Sequence, residues 1–278
     1  MEEIVSDSPY RGRQIQFRKR PNVAAGDLRI GPLGYAASAI QSYTDFLSLR
    51  RIGKVPPRAQ FLVSLPTPLA CARVHIAMES LDTVEPAYEQ AMRDEIAAML
   101  KVIPATDLAI QWDVAVEFSI LEVRPAHFED RMKGVVDRLV ARINEVPQEL
   151  SAGFYLCYGD SGHKHFKEPD DTAKLVEVAN AVTARATRKI DWMHLPVPKE
   201  RDDEGYFAPL RGLKLQTETE LFLGLIHLSD GLPGAHRRIA AARSAVADFG
   251  VAAECGFGRR AEDTIPELLK LHLDVSDL

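Results

Sequence analysis

The sequence predicts an α/β fold built on a parallel sheet, of the TIM (β/α)8-barrel type but lacking or replacing the first two strands. Three observations predict it. Short apolar runs alternate with longer stretches of helical periodicity, which is the rhythm of βα units. The runs are nearly continuous in apolar residues, as strands covered on both faces are. There are six of them, at 60–65, 107–113, 152–158, 189–194, 220–227 and 250–255, where a closed barrel needs eight.

Taken in order, residues 1–27 read as an N-terminal segment and 28–278 as the barrel domain. Residues 14–18 and 28–30 have strand character, but neither opens a clear βα unit. Residues 35–52 read as a helix leading into the first run, and further helices are predicted over 85–100, 128–144, 172–186, 234–247 and 264–273. The 85–100 helix carries Glu89, Arg93 and Glu95 on one face, with Ala91, Met92, Ile96 and Met99 available for a core. Asp170 or Asp171, and Thr264 with Glu267, are N-terminal signals, because their side-chain oxygens accept the N–H groups that a first turn leaves unpaired. Two long polar loops, 159–169 and 196–211, follow strand ends and are placed to cover a site.

Composition narrows the class. Hydrophobic residues make up 46% and charged residues 27% of 278 positions, which allows a sizeable core. A net charge of -6 and a pI near 5.8 speak against nucleic-acid binding, which needs a basic face to displace counterions. The cluster Arg11, Arg13, Arg18, Lys19 and Arg20 is short and reads as a solvated segment. The N-terminus opens on Glu2 and Glu3 without an apolar run, and no stretch has the length of a membrane span. Three cysteines, an odd number, fit reduced thiols. A cytoplasmic protein without membrane contact is expected.

The C-terminal ends of the runs hold the chemistry. Asp113, Cys157, His194, His227 and Cys255 all stand there, and in parallel α/β sheets that edge is where active sites form. Cys157, His194 and Cys255 are a zinc-type ligand set that leaves a fourth position open for a thiol substrate. Buried cysteines also serve simply as small core residues. A second group is acidic: Asp113, Glu117, Asp160, Asp230 and Glu254. Carboxylates at strand ends hold an ammonium, orient a histidine or complete a metal site, and Asp113 and Glu117 could equally pair with arginines. His227 ends an apolar run, His163 and His165 lie in a polar loop as acid/base candidates, and His75, His127, His236 and His272 read as structural. The segment ECGFGRR adds Arg259 and Arg260, suited to an anionic substrate.

The segments LFLGLIHLSDG and FGVAAECGFGRR resemble the last two strands of the catalytic domain of cobalamin-independent methionine synthase. The chain is more closely similar to small members of that superfamily, which includes uroporphyrinogen decarboxylase. QWDVAVEF resembles the strand that carries an amino-acid-binding Asp, GFYLCYGD the strand with the His-x-Cys zinc motif, and SLPTPLA another strand end. The resemblance runs from about residue 28 to the C-terminus. It implies zinc held by Cys157 and Cys255, with His194 near the place of the family's glutamate ligand, and a folate or other methyl donor as co-substrate. Three departures stand out: Tyr155 replaces the motif histidine, Asp113-Val114-Ala115 replaces Asp-Glu-Pro, and the first two strands have no counterpart.

The expected function is zinc-dependent transfer of a methyl or related alkyl group to a small-molecule thiol or carboxylated substrate. Cys157, His194 and Cys255 would hold zinc, and His227 and Asp230 would assist proton movement. Asp113, Glu117, Tyr155, Asp160, Arg259 and Arg260 would contact substrate. One alternative is a metal-free barrel enzyme running decarboxylation or acid/base chemistry on Asp113, Tyr155, His194 and the arginines. Another is a non-catalytic part of a split barrel, completed by a partner chain or as a homodimer, because unpaired sheet edges must be covered.

Overall fold

The structure, a computed structural model, describes residues 1–8, 12–159 and 164–276. Asp160, His163 and Arg11 lie outside the described residues. Along the chain, β1 (Glu2–Ser8) and β2 (Gly12–Arg18) are followed by α1 (Tyr35–Arg51), β3 (Phe61–Pro66), α2 (Pro68–His75) and α3 (Leu81–Leu100). Then come β4 (Leu108–Val114), α4 (Val116–Glu122), α5 (Arg131–Glu145), β5 (Ser151–Leu156), α6 (Ala173–Thr183) and β6 (Trp192–Pro196). The chain ends with α7 (Glu204–Phe207), β7 (Glu220–Ile226), α8 (Gly231–Arg243), β8 (Gly250–Ala253) and α9 (Ile265–Ser276).

The six predicted runs form one parallel sheet in sequence order, β3-β4-β5-β6-β7-β8. Its apolar half is the core. Ile110, Trp112 and Val114 of β4, Phe154 and Leu156 of β5, and Met193 and Leu195 of β6 are buried with Leu139, Ile143, Leu175 and Val178 of the helices. Burying each such side chain contributes roughly 1.5–3 kcal/mol. The alternate residues share the other, hollow face in register rows. One row is Ser64, Gln111, Gly153, Trp192 and Glu220, and the row above it is Pro66, Asp113, Tyr155, His194 and Phe222.

The sheet does not close. β3 and β8 are its edges, so the (β/α)8 expectation is corrected to an open six-stranded α/β sheet among the described residues. The N-terminal strands do not take the missing places. They pair antiparallel with each other, Val5 opposite Ile15, and the hairpin docks beside α2. Ala77 N–H donates to the Phe17 carbonyl at 3.0 Å, and Arg18 pairs with Glu79 at 2.7 Å. The reason is in the residues: β1 mixes charged and apolar positions, and a parallel strand buried on both faces cannot carry them. Residues 28–30 are irregular rather than a strand. Three short helices, α2, α4 and α7, were not anticipated. In α2, Thr67 caps the first turn by accepting from Ala70 N–H at 3.1 Å, and α4 turns directly out of β4. No helix of the described residues is long and apolar enough to cross a membrane.

Candidate active site at the C-terminal edge of the sheet

The parallel direction of β4, β5 and β8 brings their C-terminal ends together, and with them Asp113, Tyr155, Cys157 and Cys255. Tyr155, Cys157 and Cys255 form one buried cluster with Ala115 against it. The Tyr155 phenol lies against both thiols and donates to the Glu254 carbonyl. Gly159 N–H donates to Cys157 Sγ at 3.1 Å, and Arg259 Nη2 lies 3.8 Å from Cys255 Sγ. The hydrogen bond to Cys255, together with burial, holds the Cys157 thiol well above its ordinary pKa, and burial does the same to Tyr155. Cys157 is thus a neutral thiol, not a poised nucleophile.

Asp113 is the perturbed acid of the site. Its Oδ1 is buried with no hydrogen-bond partner. Burial raises the carboxyl to about 6, against the pull of Arg259. Glu117, in the first turn of α4, is fully buried. Its Oε1 accepts the Thr67 hydroxyl, and Oε2 has no partner. Burial pushes it to about 7 in spite of the Thr67 bond, with a smaller push from Asp113. Two neighbouring carboxyls are thus kept partly protonated near neutral pH, an arrangement concentrated at functional sites.

On the other side of Cys255, the Glu254 carboxylate bridges two histidines. His165 Nε2 lies 2.9 Å from Oε1 and His227 Nδ1 lies 3.3 Å from Oε2. Burial alone would lower His165, but Glu254 and Glu168 on its two ring nitrogens push it up to about 9. His227 also reaches the Val197 carbonyl through Nε2 at 2.8 Å, and burial lowers its pKa. Arg260 adds positive charge that holds Glu254 low, after the two histidines. Asp230 has a structural partner: Arg238, fully buried, grips both its oxygens at 2.7 and 2.9 Å and also donates to the Leu225 and Lys199 carbonyls. Its expected part in proton movement finds no support in that geometry.

The residues test the zinc expectation directly. A catalytic zinc needs three protein donors aimed at one point about 2.0–2.3 Å away. Cys157 and Cys255 do meet. His194, however, stacks on the Tyr155 ring, at 4.5 Å between centroids, and bonds the Ala253 carbonyl. Burial drives its pKa down to about 4. Among the described residues no three His, Cys, Asp or Glu side chains are grouped to hold a metal. The set does not fit zinc, because the His194 imidazole is engaged by the Tyr155 ring and the Ala253 carbonyl and does not join the two thiols.

Sequence reasoning expected Asp113, Tyr155, Cys157, Cys255 and Arg259 at one edge, where the structure places them, but took His194 for a zinc ligand, whereas its ring stacks on Tyr155 and bonds the Ala253 carbonyl. It missed Thr67, whose Thr-Pro pair at a strand end is a readable helix start. It also missed Arg238, which no local pattern marks. Comparison with known proteins adds a fold-level finding. No protein-family model and no curated protein matches the chain. A solved structure from Listeria monocytogenes, provisionally described as a vitamin-B12-independent methionine synthase, is similar at 17% identity and a TM-score of 0.51, covering 84% of this chain and 68% of that one. At that identity the likeness establishes a shared α/β fold and nothing finer.

Proposed function

We propose that this chain is a metal-independent enzyme that moves a proton to or from carbon in a small carboxylated substrate, with Asp113 as the acid/base group. The observation that carries the reading is the Asp113 carboxyl, buried with an unpartnered oxygen, raised to about 6, and facing Arg259 at the C-terminal edge of the sheet. A group that titrates near working pH is an efficient proton carrier. Arg259 and Arg260 supply fixed positive charge for a carboxylate. If the carboxylate leaves as carbon dioxide, the electron pair of the broken bond stays on the substrate carbon, and protonated Asp113 can deliver the proton there. Glu254, held by His165 and His227, positions the Cys255–Arg260 loop that carries the arginines.

The test is a screen of small carboxylated compounds for proton exchange at carbon in deuterated buffer and for carbon dioxide release, with and without chelator. Activity that survives chelation, has a limb near pH 6 and vanishes in Asp113→Asn is the expected result. Activity that is lost on chelation and restored by zinc sinks the reading.

One observation favours a second reading, zinc-dependent methyl or alkyl transfer to a thiol: Cys157 and Cys255 meet, as the resemblance implies. It needs a third donor that the described residues do not bring to them.

A further inference from the structure

Guanidinium groups drawn into this fold are paired, because a charge taken out of water without a partner is costly. Arg138 is held by Glu85, Arg142 by Glu89 and Glu145, and Arg238 by Asp230. Arg188 donates to backbone carbonyls. Arg73 breaks the pattern. It lies half-buried in the last turn of α2. Leu69, one turn earlier, is 1% exposed, and residues four apart share a helix face, so the Arg73 stem is drawn towards the core. Its Nε is sealed from solvent without a partner. Among the described residues the guanidinium makes no hydrogen bond and no ion pair. Neither terminal nitrogen is sealed, so the fork remains reachable from solvent.

The charge beside Arg73 has the same sign. Burial lowers its pKa, and the neighbouring cation Arg124 lowers it further. The fold sets the two side by side. β3 and β4 are neighbours in the sheet, α2 and α4 leave their C-terminal ends, and the two helices pack together. Their first turns are tied by the Thr67 hydroxyl, which donates to Glu117. Arg73 comes six residues after Thr67, and Arg124 seven after Glu117. Both guanidinium groups therefore gather at the far ends of the pair, roughly 9 Å along α2 from that bond at ~1.5 Å per residue. Arg124 N–H is fixed on the Ser119 carbonyl at 2.7 Å. Its side chain has a contact of its own, so Arg124 adds charge while Arg73 offers open donors. An acidic chain of net charge -6 has carboxylates in excess, yet none acts on Arg73. A bound anion would relieve this repulsion.

We propose that Arg73, backed by Arg124, is a binding site for a divalent oxyanion of the phosphate type. The guanidinium fork donates two parallel N–H groups to two oxygens of such a group, and its second negative charge gains from Arg124. The site is independent of the Asp113 chemistry. Its test is isothermal titration calorimetry of the full chain at low salt with inorganic phosphate, with sulfate and with acetate, a monovalent probe. Saturable binding of phosphate and sulfate, about tenfold tighter than acetate, is expected. Arg73→Met keeps the apolar stem and should weaken sulfate about tenfold. In anion-free buffer it should melt at the wild-type temperature or above, because the charge it removes has no partner. Arg124→Gln should weaken sulfate less. Arg259→Ala should leave the Arg73 step in place, so this site and the acid/base reading fail separately. Glycerol 3-phosphate binding tighter than phosphate assigns the site to an organic phosphate, equal affinity assigns it to the free anion, and both results support it. Equal affinity for sulfate and acetate, sulfate binding that survives Arg73→Met, or no saturable binding overturns it. So does an Arg73→Met variant that melts well below wild type without anion, since the guanidinium would then be a structural group.

Discussion

Replacing Asp113 with Asn should make this protein more stable. The carboxyl is ionised above about pH 6 in a place that opposes ionisation, whereas in the unfolded chain it titrates at its ordinary 3.8. Between those values the unfolded chain has released the proton and the native chain has kept it. The native state therefore binds more protons, so stability falls as pH rises through that window and stays low above it. A gap of about two pH units at ~1.36 kcal/mol each is about 3 kcal/mol. Asp113 keeps some contact with solvent, so a gain of about 1–3 kcal/mol is expected for Asp113→Asn near pH 8, shrinking below ~1 kcal/mol near pH 4. Removing the charge also relieves Glu117, whose carboxyl Asp113 helps to raise. The assay is urea unfolding followed by circular dichroism, wild type against variant at both pH values. A variant that is more stable but inactive is the signature of a strained functional group. An Asn variant that is equally or less stable near pH 8, with its fold intact, refutes the buried, unpartnered carboxyl.

Three further outcomes follow from the same contacts. Metal analysis of protein purified without a tag should give well under one zinc per chain, and Tyr155→His should take up zinc that is lost again when Cys255→Ser is added. An unchanged zinc content in Tyr155→His would contradict the idea that the phenol holds the thiols apart from a metal. Asp230→Ala leaves the Arg238 guanidinium buried without its carboxylate and should cost about 3–5 kcal/mol in unfolding free energy; a loss under ~1 kcal/mol would mean that Arg238 finds another partner. Glu85 is held by Arg138 at 2.6 and 2.9 Å and by His127 at 3.1 Å, which outweigh burial and lower it from 4.5 to about 2. Up to about 3 kcal/mol of stability, fully present above pH 4.5, should be lost as pH falls towards 2. Glu85→Gln should flatten that acid limb in a pH series of thermal melts.

The sequence by itself determined the local structure and the edge at which chemistry gathers. Six consecutive apolar runs specify six parallel strands because a strand packed under helices needs a buried apolar set, and that demand is written within the run, even though the other face of this sheet is open and carries polar rows. Polar residues tolerated at the ends of those runs, Asp113, Cys157 and Cys255, mark the C-terminal edge for the same reason. Helix existence was legible too, although 234–247 became Gly231–Arg243 and 85–100 became Leu81–Leu100. Pro86 falls inside α3, in its second turn, and removes one backbone hydrogen bond there. Tertiary structure alone decided the rest. Whether the sheet closes depends on pairing at β3 and β8, which no run encodes. Asp230 is engaged by Arg238, eight residues on along a buried helix face. His194 and Cys157 belong to neighbouring strand ends, yet His194 stacks on Tyr155 and is not grouped with the thiols for a metal. Side-chain direction across a sheet is set by every strand's register at once, so convergence on a point is a property of the assembled sheet and not of any segment in it.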